Sequence, residues 1–66
     1  MNTLNDRTAK IMLGHIHRIG MSLSSFENEL QGTGANTEAM KKYLVELQLS
    51  LRDAQQEIVD LRDGKS

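Results

Sequence analysis

Residues 30–40 read Leu30-Gln31-Gly32-Thr33-Gly34-Ala35-Asn36-Thr37-Glu38-Ala39-Met40, and this stretch decides the fold. Two glycines around a threonine break a helix, because glycine loses the most backbone entropy there and accepts left-handed dihedrals. Asn36 and Thr37 then offer side-chain oxygens that cap a new helix. Glu38 follows in the first turn, where the helix dipole favours an acid. The stretch reads as stop, turn and restart.

Working outward, apolar residues recur at steps of three and four on both sides. Before the turn they are Ala9, Met12, Ile16, Ile19, Leu23, Phe26 and Leu30. After it come Met40, Leu44, Leu47, Leu51, Ala54, Ile58 and Leu61. That spacing marks one face of a helix. Folding the chain at residue 35 sets Leu30 level with Met40, Phe26 with Leu44, Leu23 with Leu47 and Ile19 with Leu51. Ile16 then meets Ala54, Met12 meets Ile58 and Ala9 meets Leu61. The pairs stay level because both helices rise by the same amount per residue.

Written as heptads, the first helix has a at 9, 16, 23 and 30 and d at 12, 19 and 26. The second has d at 40, 47, 54 and 61 and a at 44, 51 and 58. Each layer sets an a residue against a d residue, as antiparallel pairing requires. The sequence therefore predicts an all-α fold, an antiparallel two-helix hairpin of coiled-coil type with these residues as its seam.

One domain over 1–66 is expected, with the first helix at about 5–30, the turn at 31–36, the second helix at about 37–62 and a frayed tail at 63–66. Thr3 and Asp6 make a capping box for the first helix, with Asn5 as the competing cap. Gly32 is expected to end the first helix and Gly64 the second. On the flanks, e faces e and g faces g. This brings Glu27 near Lys41, Asp6 near Arg62, His15 near Glu57 and Ser22 near Ser50. Exposed pairs of this kind add only about 0–1 kcal/mol each, but they help select the register.

Composition narrows the function. The chain has no Cys, Pro or Trp and a single Phe and Tyr, so no disulfide, thiolate metal site or aromatic core holds it. No apolar run reaches membrane-spanning length and no signal-peptide block opens the chain, so a cytoplasmic protein without membrane contact is expected. Net charge is −1, split into +2 over residues 1–26 and −3 over residues 27–66. That balance does not demand an anionic partner.

A lone pair of helices cannot fully cover its own seam, so a second apolar surface is required. The g/c side is mostly polar. The e/b/f side carries Leu13, Gly20 and Met21 on the first helix and Val45, Leu49 and Val59 on the second, with Gln48 and Gln55 among them. That side is expected to meet a second hairpin, giving a homodimeric four-helix bundle. Gly20 there lets backbones approach closely.

Chemistry-bearing residues are few. His15 and His17 point about 200° apart on a helix, so they do not share an ion as a pair spaced by four does. Glu46, Asp53 and Asp60 recur every seven residues as a solvated stripe with no opposing wall. Gly64-Lys65-Ser66 repeats the end of a phosphate-binding loop without its first glycine, strand or following helix. No enzyme, cofactor or metal is expected.

The sequence points to a small protein–protein interaction module: an adaptor, assembly chaperone or regulatory subunit acting through self-association and helical-face docking. The alternative is a dimeric nucleic-acid-binding regulator using a basic patch of Arg7, Lys10, His17 and Arg18. That patch is small and holds no stacking aromatic.

Overall fold

In the computed structural model, which describes residues 4–65, the first helix starts where a side chain completes its open end. Asn5 sits in extended backbone (φ −75°, ψ 158°) and its Oδ1 accepts the Thr8 N–H at 2.8 Å. Asn5 is thus the cap. Thr3, the other candidate, lies outside the described residues. Helix α1 then runs Asp6–Thr33, with Asp6 in the first turn where it opposes the dipole.

Its end corrects the sequence reading. The helix does not stop near Leu30, and Gly34 rather than Gly32 takes the left-handed conformation, at φ 76°. Two sets of hydrogen bonds explain the extra turn. The Thr33 hydroxyl donates to the Glu29 carbonyl at 2.8 Å, which holds Thr33 in the helix. Beyond it, the Ala35 N–H reaches the Leu30 carbonyl at 2.9 Å and the Gly34 N–H the Gln31 carbonyl at 3.4 Å. This is the paired-bond closure that a left-handed residue just past a helix makes available.

The connection is therefore shorter than 31–36. Thr37, not Asn36, caps the second helix, accepting the Met40 N–H on Oγ1 at 3.2 Å. Helix α2 runs Glu38–Asp63 and ends at Gly64, φ 75°, as expected. The same closure recurs there: Lys65 N–H to the Asp60 carbonyl at 2.8 Å and Gly64 N–H to the Leu61 carbonyl at 3.3 Å.

The two helices pack against each other as a hairpin 48 Å long, 18 Å wide and 10 Å thick. That length fits a single layer of helices, since α1 alone accounts for about 42 Å at ~1.5 Å per residue. At the end opposite the turn, the Leu4 N–H donates to the Leu61 carbonyl at 3.2 Å, joining the start of the chain to the end of α2. Among the described residues, the buried side chains sit near the two ends: Leu30 (7% exposed) and Leu44 (4%) towards the turn, Ala9 (0%) at the far end.

The flank pairs expected across the hairpin do not form as ion pairs. Lys41 reaches Glu38 at 3.6 Å and Arg62 reaches Asp63 at 3.2 Å, both within α2. Neighbours on one helix need no long side chain to be held across a gap, so the local partner wins at these exposed sites.

Candidate functional site

Burial along the two helices follows heptad rows, and it separates rows that the sequence had joined. Every a position is withdrawn: Ala9, Leu30 and Leu44 are buried, and Ile16, Leu23, Leu51 and Ile58 are half-buried. The d row behaves differently. Met40 and Leu61, at the hairpin's ends, are half-buried, whereas Met12, Ile19, Phe26, Leu47 and Ala54 are exposed. The seam of alternating a and d layers is thus corrected to one centred on the a rows. Two helices touch along one line, and a row 60° to the side of that line is covered on one flank only.

In an antiparallel pair both d rows fall on one side of the contact line and both e rows on the other. The hairpin accordingly has two unlike faces. One is a shallow groove of about 480 Å³ along the e rows. Ile16, Leu23 and Leu51 form its floor, and Leu13, Gln48 and Gln55 stand along its edges. Gly20 contributes no side chain there, which leaves the groove open at mid-length. A smaller depression of about 320 Å³ lies beside it on α2, formed by Val45, Gln48, Leu49 and Arg52.

The other face carries the exposed d residues. Ile19 is 49% accessible, Leu47 50% and Phe26 44%, and Tyr43, at the adjoining g position, is 58%. The d positions 12, 19, 26, 40, 47, 54 and 61 hold only Met, Ile, Phe, Leu and Ala. Sequence reasoning missed this face because it had already spent the d residues on the seam. The signal was present in Tyr43, a large apolar ring at a position where a two-helix seam has no use for one.

The residues expected to meet a partner on the groove side divide in the structure. Met21, Val45 and Leu49 are exposed, and Leu13, Gly20 and Val59 are half-buried. Of the basic residues, Arg7, Lys10, His17 and Arg18 are all exposed, and His17 alone among them borders the groove, facing Arg52 from α2 across it. His15 is exposed as well. Along the acidic stripe Glu46 and Asp53 are exposed, and half-buried Asp60 accepts the Gln56 Nε2–H at 3.0 Å. Among the described residues no three His, Asp or Glu side chains cluster to hold a metal ion, and no helix is long and apolar enough to cross a membrane.

The arrangement is one for contact: apolar surface on two faces, with polar side chains between them. No family model matches the chain, and neither a curated protein nor a solved structure matches it.

Proposed function

We propose that this chain is a small, non-enzymatic interaction module that associates with itself as a two-fold dimer and offers a helical face to another protein. The observation that carries the reading is that, among the described residues, nine large apolar side chains are exposed and three apolar side chains are buried. Isolated apolar residues on a surface need no explanation, but rows of them along whole helices mark contact surfaces. Dimerisation into a four-helix bundle gives each helix a second neighbour, which is what a half-covered seam lacks. Adaptor, assembly chaperone and regulatory subunit are all uses of such a module.

Sedimentation equilibrium over a range of concentrations tests the first half. The expected mass is twice the 7.4 kDa of the chain. A single-hairpin mass at every concentration would reject self-association. Titration with duplex and single-stranded nucleic acid at low salt tests the competing use of Arg7, Lys10, His17 and Arg18. Binding that weakens steeply as salt rises would replace the reading with a nucleic-acid one.

A further inference from the structure

Resting on that self-association reading, we propose that the dimer forms through the d-row face, the side opposite the groove, and that its occupant is a second copy of this chain laid face to face with its turn at the opposite end. Three observations support this: the chemistry favours the d face over the groove side expected from sequence, the area fits one second copy, and the symmetry lets that copy seat on the d rows.

The first is chemical. The d rows hold no charged or amide side chain, whereas the e rows beside the groove include Glu27, Lys41, Gln48 and Gln55. Closing the e side on a second hairpin would strip water from charges and amides at its centre that have no partner in place, whereas the d side gives up water chiefly from hydrocarbon, with His15, Glu29 and Glu57 only at its g margin.

The second is area. The hairpin exposes 5258 Å². A compact monomer of its mass exposes about 4,200 Å². The difference, about 1,000 Å², is close to the ~800 Å² that each partner contributes to a standard stable interface. A single second copy accounts for that amount.

The third is symmetry. Turning a second copy end for end about Ile19 sets Ile19 on Ile19 and Met12 on Phe26 of the other copy. On α2 the same operation sets Leu47 on Ala54 of the other copy, large against small, and Met40 on Leu61. The midpoint of the α1 row is residue 19, and that of the α2 row lies between 50 and 51, which the hairpin register places within about 1 Å of the same level. One axis therefore serves both helices. The flanking g positions match without like charges: His15 lies over Ser22, Glu29 over Thr8 and Glu57 over Tyr43.

The experiment compares the full chain with Ile19→Glu and Leu49→Glu by sedimentation equilibrium, with circular dichroism on each. Ile19→Glu, on the d face, is expected to weaken the dimer at least about 100-fold, the factor that goes with a lone charge forced into an apolar contact. Leu49→Glu, on the groove side, is expected to leave both mass and helicity unchanged. Dissociation by Leu49→Glu, alone or together with Ile19→Glu, overturns the proposal, and so does a dimer insensitive to both. A wild-type chain that is already monomeric instead overturns the self-association reading beneath it. If Ile19→Glu loses its helicity, Ile19→Cys and Leu49→Cys decide under mild oxidation. A covalent dimer at position 19 and none at position 49 supports the d-row face, and the reverse result rejects it.

Discussion

Gly34 and Gly14 share a side chain and differ in what the backbone asks of them. Gly34 holds φ 76° at the end of α1, where a Cβ is strained whatever space surrounds it. Gly34→Ala is expected to destabilise the chain by about 1–2 kcal/mol in denaturant unfolding. Gly14 lies inside α1 with ordinary helical backbone and nothing within 4 Å of an added Cβ. Gly14→Ala should therefore stabilise the chain, by about 0.5–1 kcal/mol. Similar effects at the two sites would contradict the placement of the turn. At the start of α1, Asn5→Ala removes the acceptor of the Thr8 N–H and should cost about 1 kcal/mol in the same measurement.

Each helix was legible in the chain at the level of its period and its stops. Gly64 ends α2 as expected, and Thr37, one of the two candidate caps, starts it. The end of α1 did not, because two glycines stand two residues apart and propensity alone cannot choose between them. In the structure Thr33 stays helical with its hydroxyl bonded back to the Glu29 carbonyl, and the closing bonds from Gly34 and Ala35 fall later along the chain than Gly32 would put them. The finer question, which apolar row each helix turns towards its neighbour, was less legible. A stripe spanning a and d is about 60° wide, and a rotation of that size keeps the periodicity untouched while leaving Ile19 and Leu47 about half exposed. Leu44, an a residue, and Leu47, a d residue, show the difference at close range. Leu44→Ala should lower folding stability by about 2–5 kcal/mol at any protein concentration. Leu47→Ala should act through association, so that its penalty in melting temperature shrinks as the protein is concentrated.

For the whole molecule, shape separates the arrangements that mass alone does not. Face-to-face packing of two hairpins keeps the long dimension near the 48 Å of one copy and thickens the 10 Å direction. Helices run together into a continuous rod would instead span about 90 Å at ~1.5 Å per residue. Small-angle X-ray scattering is expected to return a maximum dimension close to the shorter figure. A value near the longer one would remove the hairpin itself.

The bond between the Leu4 N–H and the Leu61 carbonyl brings residues 4 and 61 to one pole. Tension applied through handles at these two positions would peel α1 from α2 rather than slide one along the other. Peeling strains only the outermost contact at any instant, so rupture would begin at the Leu4–Leu61 bond, pass Ala9 and travel towards Gly34. The molecule should yield gently and progressively to such a pull. A load that slides one helix along the other would strain every contact at once and meet greater resistance.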